Sequence, residues 1–260
     1  MRLTTKALVT VLSGGVTATP AELYQEAVTA LTPLAWWKLD ETSGTNAVNS
    51  GSGGATYDGT ISGGVTLGVT DGSAATGTAM TFDAATGRIE IVNTDATLRN
   101  LANFTWMALI NIAGAGEGSA GCVITFASSA SEHFLLIRDA NGRKAVFVVR
   151  YDGGTLSRKQ TNVDQLPVNG TLFWVVARHN GTSKVSRLQW ALPGAVALTT
   201  PTFLTDTTGV GNRVNAATDM QLGAFANGNS TFNGNLKEIA VFSSELSDAN
   251  VLTMITASGG

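Results

Sequence analysis

The stretch FNGNLKEIAVFSSELSD (residues 232–248) decides the fold, because a turn signal, an alternating strand and a polar helix start follow one another within it. The Asn-Gly pair marks a turn, and the apolar residues after it predict a strand. Ser244 or Ser247 then caps a short helix, with Asp248 near the positive end of that helix. We therefore expect the chain to close with a strand followed by a helix.

Short apolar runs separated by turn residues precede this stretch, back to about Pro33, and are typical of an all-β sandwich. Two Asn-Gly pairs, at Asn141 and Asn180, lie between apolar runs of similar length. Such pairs supply the positive φ angles of tight hairpins, so we expect two antiparallel hairpins.

The faces of two runs indicate where the core lies. RIEIV (residues 88–92) alternates, which places Ile89 and Ile91 inward and the charged residues between them outward. FWVVA (residues 173–177) is apolar on both faces and predicts a central strand. The stretch at residues 49–77 is rich in Gly, Ser and Thr like a linker, but its recurring apolar residues predict short strands and loops anchored to a core. Those residues are Tyr57, Ile61, Val65 and Leu67.

The first 33 residues differ from the rest of the chain and are expected to form an arm and a helix. Thr19, Pro20 and Glu22 form a helix-start signal, and the helix is expected to run to about Leu31 and to end before Pro33. Its apolar stripe is predicted at Leu23, Ala27, Ala30 and Leu31.

The sequence before this helix imitates a secretion signal, with Arg2 and Lys6 ahead of an apolar stretch and small residues near Ala18. Thr10 interrupts the apolar run, and two glycines soon end it. We expect a retained arm that docks on other subunits, with an exported protein as the alternative. No run approaches the roughly 20 apolar residues that span a bilayer.

Composition excludes several kinds of function. Charged residues make up 13% of the chain and hydrophobic residues 43%, which is typical of a folded, turn-rich chain. The net charge of -3 and the scattered basic residues provide no stripe for phosphates, so no nucleic-acid partner is expected. Cys122 is the only cysteine, which rules out an intrachain disulfide and a cysteine-based zinc site.

Seven segments follow one another in the order of a known strand pattern: AWWKLDETSGT (35–45), YDGTISGGV (57–65), MTFDAATGRIEI (80–91), FTWMALINI (104–112), LFWVVARHNGTSKVSRLQ (172–189), MQLGAF (220–225) and FNGNLKEIAVFSSELSDANV (232–251). Together they resemble the concanavalin A-like lectin/glucanase superfamily, in particular laminin-G-like jelly rolls found in bacterial and phage surface proteins. The resemblance implies an all-β jelly-roll sandwich of two antiparallel sheets over residues 34–260, whose last strand returns beside the first.

The resemblance does not extend to catalysis. Glucanases of this superfamily carry Glu-x-Asp-x-x-Glu on one strand, and this sequence has no such run; Glu90 and Asp95 lie five apart without a third partner. His133 and His179 have the chemistry of general bases but lie beside hairpin turns without a nucleophile motif. We expect no enzyme, with a glycoside hydrolase as the disfavoured alternative.

Many relatives hold calcium at the rim of the sandwich, and Asp40, Asp58 and Asp83 are the corresponding candidate ligands here. Where relatives often have Leu-Asp-Glu in the last strand, this chain has a lysine, Lys237, in the middle position. Two interpretations stay open: a calcium site, or aspartates that cap turns.

Rim residues are also the candidates for glycan binding, because Asn amides and His nitrogens bond sugar hydroxyls. The candidates are Asp58, His133, Asn141, Asn180 and Trp37. Consecutive strand residues point to opposite faces, so one of Trp36 and Trp37 is expected to face away from the core.

These observations predict a non-enzymatic virion or surface protein, such as a phage tail or head-decoration component. Its jelly roll is expected to contact host glycans or other subunits, in an oligomer or multi-copy assembly on the virion. A secreted bacterial carbohydrate-binding module, located outside the cell or at its surface, is the alternative.

Overall fold

A computed structural model describes residues 18–70, 77–92, 97–126, 133–138, 143–215 and 218–259. These residues form a jelly-roll sandwich of two antiparallel sheets, which confirms the predicted all-β class. Within the described residues, neither helix is long and apolar enough to cross a membrane. Residues 1–17 of the predicted arm lie outside the described residues. The predicted boundary between the N-terminal segment (residues 1–33) and the jelly roll (residues 34–260) stays a prediction.

The strands are numbered in chain order. In spatial order, sheet A contains β13 (Val185–Ala191), β12 (Leu172–Asn180), β7 (Phe104–Ile112), β16 (Asn233–Phe242), β5 (Thr78–Asp83) and β4 (Val65–Thr70), and β1 (Ala35–Trp37) also pairs with β16. Sheet B contains β14 (Phe203–Thr207), β11 (Ser157–Thr161), β10 (Lys144–Val149), β9 (Phe134–Arg138), β8 (Ala120–Thr125), β15 (Met220–Leu222), β6 (Arg88–Ile91), β3 (Gly59–Ser62) and β2 (Asn46–Ala47). The helices are α1 (Pro20–Ala30) and α2 (Asp248–Ala257).

The last long strand returns beside the first, as the resemblance implies. β1 pairs antiparallel with β16, with Trp36 opposite Ala240. Ser247, one of the two predicted caps, accepts a hydrogen bond from the Asn250 backbone N–H at 3.2 Å and starts α2 at Asp248. The strand and helix predicted within residues 232–248 are confirmed, but the Asn-Gly pair that was expected to form a turn lies inside β16, where Gly234 pairs with Phe82 and Ile112.

Both predicted hairpins are present, but one turn is longer than two residues. β9 and β10 pair directly, although Asn141 lies outside the described residues. In the β12–β13 hairpin, Asn180 is the last strand residue, and the positive φ of 58° falls on Lys184 instead of Gly181. Gly181 is required for another reason, since a Cβ there would lie 2.4 Å from the Ala102 carbonyl oxygen.

The main core lies between the sheets, and the predicted inward residues contribute to it. Ile89 and Ile91 are fully buried there, and alternate residues of β12 enter from sheet A. The Gly-rich stretch is anchored as predicted, with Tyr57 buried and Ile61 on β3.

A second core lies on the outer face of sheet A, under α1 and α2. It contains Trp174 and Val176, the other face of β12, which explains why this strand is apolar on both sides. Trp37 lies in the main core and Trp36 in this second core, so the pair does point to opposite faces. Both indoles are buried, because the helices cover the outer one.

Helix α1 begins where the sequence predicts. Thr19 and Glu22 form a capping box, in which Glu22 Oε2 accepts from the Thr19 N–H at 2.7 Å. The predicted stripe is wrong in part, because Tyr24, Ala27 and Val28 are buried while Ala30 is exposed. Tyr24 packs against Trp36 and Trp174, and that contact sets the rotation of the helix.

Candidate functional site

Asp83 organises a turn instead of standing free at the rim. Its Oδ1 accepts hydrogen bonds from the backbone N–H groups of Ala85, Thr86 and Gly87, each at 2.9 to 3.0 Å. Desolvation raises its pKa, but these hydrogen bonds outweigh it and lower the pKa to about 2. Asp83 therefore matches the turn-cap alternative.

Asp58 is similarly engaged. Its two carboxylate oxygens accept from the Asn49 backbone N–H at 2.8 Å and from Asn46 Nδ2 at 3.2 Å. Asp40 is exposed, and its backbone carbonyl accepts from the Thr78 hydroxyl at 3.0 Å. Within the described ranges, no three His, Cys, Asp or Glu side chains group as a metal site would require.

His133 is not a rim residue. It is 1% exposed, its Nδ1 accepts from the Arg150 N–H at 3.1 Å, and its Nε2 lies 2.6 Å from the Val214 carbonyl oxygen. Nε2 therefore carries the proton and donates a hydrogen bond to that carbonyl oxygen. Burial and the nearby Arg213 lower its pKa to about 3. The prediction that His133 binds a glycan is corrected, because both ring nitrogens are engaged below the surface.

His179 lies in a buried polar bridge between the sheets. Its Nε2 is 2.8 Å from the Tyr151 hydroxyl and its Nδ1 is 3.0 Å from the Ser186 hydroxyl, which is 2.7 Å from that of Ser157. Burial, then the charge of Arg213, lowers the pKa of His179 to about 3. Ser157, Ser186 and His179 are each 0% exposed, so this serine and histidine arrangement joins the sheets instead of meeting a substrate.

The other predicted glycan-binding residues, Trp37, Asn180 and Asn141, differ in their surroundings. Trp37 is 0% exposed and its Nε1 donates to the Tyr57 carbonyl at 2.8 Å, so its ring offers no face to a sugar and that prediction is corrected. Asn180 is half-buried, its Nδ2 donates to Glu245 at 2.8 Å and its Oδ1 accepts from two turn N–H groups. Asn141 lies outside the described residues, so it stays a prediction.

The Lys-Glu pair of the last strand is buried. Lys237 is 0% exposed and donates to the Gly77 carbonyl at 2.9 Å. Glu238, at a φ of 51°, lies where the register of β16 shifts against β7, and this irregularity turns its side chain toward α1. Glu238 Oε2 accepts from Trp36 Nε1 at 2.6 Å and from the Tyr24 hydroxyl at 3.2 Å. Burial raises the pKa of Glu238 to about 8, against these two hydrogen bonds and the charges of Lys237 and Lys38.

A surface groove opens where the sandwich edges meet, between β13 of sheet A and β11 with β14 of sheet B. We call it the edge groove. It has a volume of about 420 Å³, and its lining includes Lys159, Arg187, Gln189, Thr200, Phe203, Asp206 and Asp248. This volume lies within the range of small-ligand pockets, roughly 300–1,000 Å³.

β11 supplies the most buried charged side chain in the lining of the edge groove, Lys159. Ser157 contacts Ser186 on β13, so its neighbour two residues on, Lys159, points to the same side, toward sheet A. Lys159 forms an ion pair with Asp206, its cross-strand partner on β14, and its Nζ lies 5.1 Å from the centroid of the Phe203 ring. A nearly buried lysine at an open edge is thus held by a carboxylate and an aromatic ring.

The opposite wall belongs to sheet A and to the start of α2. The guanidinium of the buried Arg178 donates to Gln189 and, at 2.5 Å, to Asp248. Gln189 Nε2 donates to the Thr200 hydroxyl at 3.0 Å. The wall presents a carboxylate, an amide and a hydroxyl beside one another.

Sequence reasoning did not find the edge groove. The polar run SRKQT (residues 157–161) was its one visible signal, since a strand polar on both faces does not fit a core position. Which edge strand lies opposite β11 depends on long-range pairing, and no local pattern contains that information.

Comparison with solved structures shows similarity in fold to the binding domains of botulinum neurotoxins. The serotype D binding domain is 13% identical, with a TM-score of 0.54, and the match covers 87% of this chain and 51% of that chain. The DC binding domain in complex with rat synaptotagmin II is 10% identical, with a TM-score of 0.56 and coverages of 87% and 52%. The same domain in complex with SialylT is 10% identical, with a TM-score of 0.54 and the same coverages.

This chain therefore spans about half the length of those solved structures. At such identities the similarity establishes the fold alone. No protein-family model matches the sequence, and no curated protein matches it.

Proposed function

We propose that this chain is a non-enzymatic binding protein of a virion or cell surface, and that its sandwich adheres to host glycans through the edge groove. The observation that carries the proposal is the edge groove itself, where an amide, a hydroxyl, two cations and two carboxylates surround a space of about 420 Å³. Groups of these kinds bond sugar hydroxyls.

The comparisons support a binding role of this kind. Two of the solved structures with this fold are binding domains in complex with SialylT and with rat synaptotagmin II. The histidines support a non-enzymatic role, because both described imidazoles are buried and engaged in structural hydrogen bonds. The phage tail or head-decoration assignment is supported by the resemblance of the sequence to phage surface domains and by its low content of charged residues.

Adhesion through a groove of this kind is weak at each site. The edge groove is open to solvent along the edges of the two sheets, so water competes for the same hydrogen bonds. We expect an affinity near the millimolar end, roughly −4 kcal/mol, and useful adhesion only when many copies act together.

A comparison of glycan binding by the isolated chain and by a multivalent display of it tests this proposal. The isolated chain should barely bind a host-cell glycan array, whereas the same chain displayed in many copies on a particle should bind clearly. Thr200→Val removes an exposed hydroxyl of the edge groove and should weaken that multivalent binding. Equal failure of both formats would contradict glycan adhesion and favour subunit contacts as the role of the jelly roll.

A further inference from the structure

We propose that the edge groove takes a neutral, hydroxyl-rich ligand, an uncharged saccharide, in preference to a sialylated or sulfated one. This inference rests on the proposed function, because it names the class of ligand for the same groove. The evidence for it is that each cation at the edge groove is paired with a carboxylate.

The two deepest cations each have a carboxylate partner at the edge groove. Lys159 pairs with Asp206. Arg178, buried behind the groove wall, pairs with Asp248 at 2.5 Å. An anionic ligand that approached either cation would also meet the carboxylate beside it, and the repulsion would cancel much of the attraction.

The third cation is paired as well. Arg187 Nε lies 3.3 Å from Glu245 Oε1. The lining that the structure describes thus contains two cations, Lys159 and Arg187, and two carboxylates, Asp206 and Asp248, with no excess of either sign. The edge groove therefore has no unmatched positive charge to select a sialic acid or a sulfate.

A hydroxyl group fits such paired charges, because it both donates and accepts hydrogen bonds. A sugar hydroxyl can donate to Asp206 or Asp248 and accept from a neighbouring cation without separating the ion pair. Hydrogen bonds to charged partners are roughly twice as strong as those between neutral groups. Gln189 and Thr200, hydrogen-bonded to each other at 3.0 Å, add uncharged partners to the lining.

The test compares one neutral galactose-terminated glycan with the same glycan capped by sialic acid, on the full chain displayed multivalently. We expect the natural chain to prefer the neutral glycan. Asp206→Asn leaves Lys159 without its carboxylate and should shift the preference toward the sialylated glycan by about fivefold. Asp248→Asn makes the same change of charge beside Arg178 and should shift the preference in the same direction, with the folded fraction of both variants measured by circular dichroism.

Asp164→Asn is the matched control. Asp164 is exposed and forms a 3.1 Å ion pair with Arg143, and neither residue lines the edge groove. Its φ of 55° is one that asparagine tolerates. It should leave the ratio of the two glycans unchanged.

The outcomes separate this inference from the function on which it rests. A natural chain that prefers the sialylated glycan and loses binding in Thr200→Val would overturn the charge argument but keep adhesion through the edge groove. Binding to neither glycan in multivalent form would overturn the proposed adhesion and this inference with it. Binding that no groove substitution changes would place the contact elsewhere and refute both assignments to the edge groove.

Discussion

Trp36 Nε1 and Glu238 Oε2 lie 2.6 Å apart and join the first strand to the last beneath α1. The hydroxyl of Tyr24 donates to the same oxygen at 3.2 Å, so three elements that are distant in sequence meet at one buried carboxyl group. Lys38, whose Nζ lies 4.9 Å from the Trp36 ring centroid, and Lys237 provide the nearby positive charges. The Glu238 carboxyl group therefore connects α1, β1 and β16.

The first prediction concerns the pH dependence of stability. Burial raises the pKa of Glu238 from 4.5 to about 8. Below about pH 4.5 the group is protonated in both states, so it imposes no cost on folding. Between about pH 4.5 and 8 the unfolded chain ionises first, so Glu238 lowers stability by at most about 1.4 kcal/mol per pH unit. The buried His133 and His179, whose pKa values are lowered to about 3, raise stability with pH up to about 6.5, so the net fall is expected from about pH 6.5 to 8. Urea unfolding across pH 6.5 to 9 measures this fall.

Glu238→Gln should flatten the slope, because an amide does not titrate and can still accept from Trp36. Glu26→Gln is the control, since Glu26 is exposed on α1, the helix that contacts Glu238. If Glu238→Gln and the natural chain lost stability in parallel as the pH rose, the Glu238 carboxyl would not be the source of the dependence.

The second prediction concerns Asp83, whose contribution to stability decreases as the pH falls, whereas that of Glu238 decreases as the pH rises. The pKa of Asp83 is lowered to about 2 by the hydrogen bonds of its turn, so its contribution to stability is present above about pH 4 and is lost as the pH falls toward 2. The residue is exposed, so the effect should stay below about 1 kcal/mol. Asp83→Asn keeps an accepting oxygen but removes the charge, and acid unfolding followed by circular dichroism should show a smaller loss between pH 4 and 2. An unchanged acid transition in Asp83→Asn would rule out the charge of Asp83 as the cause.

Local signals in the sequence predict the elements of this fold well, and long-range pairing explains what they miss. The capping box at Thr19, the alternation of Ile89 and Ile91 and the final strand depend on neighbours in sequence, and each is present. Burial of Trp36 could not be predicted, because it requires two helices to cover the outer face of sheet A. Glu238 was missed because the irregularity in β16 breaks the two-residue period that indicates which side chains face inward.

The residues of the candidate site show the same difference between local signals and long-range contacts. Asp58 and Asp83 were candidates for calcium binding, with turn capping as the alternative, and Asp83 caps its turn through backbone N–H groups two to four residues away. Asp58 instead accepts from the Asn49 backbone N–H, nine residues earlier. His133 was predicted at the rim because it adjoins a hairpin turn, but it is bonded to Val214, 81 residues away. Lys159 and Gln189 come together only when the edges of two sheets meet.

The third prediction is that the chain releases no reducing ends from polysaccharides. Glu90 is half-buried on β6, where its neighbours across the strands are Thr60 and Gln221, neither of which is a carboxylic acid. Asp95, the nearest acid in sequence, lies outside the described residues. A retaining hydrolase needs two carboxyl groups about 5 Å apart. A panel of β-glucans and host polysaccharides should remain at background, and an activity that disappears in Glu90→Gln would overturn the non-enzymatic assignment.

The last prediction separates the arm from the folded domain. Deleting residues 1–17 leaves Thr19 and Glu22, so the capping box of α1 is retained. It also leaves Tyr24, through which α1 packs on Trp36 and Trp174. The truncated chain should therefore keep the β-sheet circular dichroism and the thermal unfolding midpoint of the full chain. Because the arm is predicted to dock on other subunits, the truncated chain should fail to join the natural assembly, as measured by sedimentation with the assembled particles.

Tyr24→Ala in the full chain is the comparison, since it keeps the arm but should lower stability by about 3–5 kcal/mol through loss of a buried aromatic side chain. Loss of sheet structure in the truncated chain would assign the arm to the core of the domain, and undiminished assembly would show that attachment uses another surface.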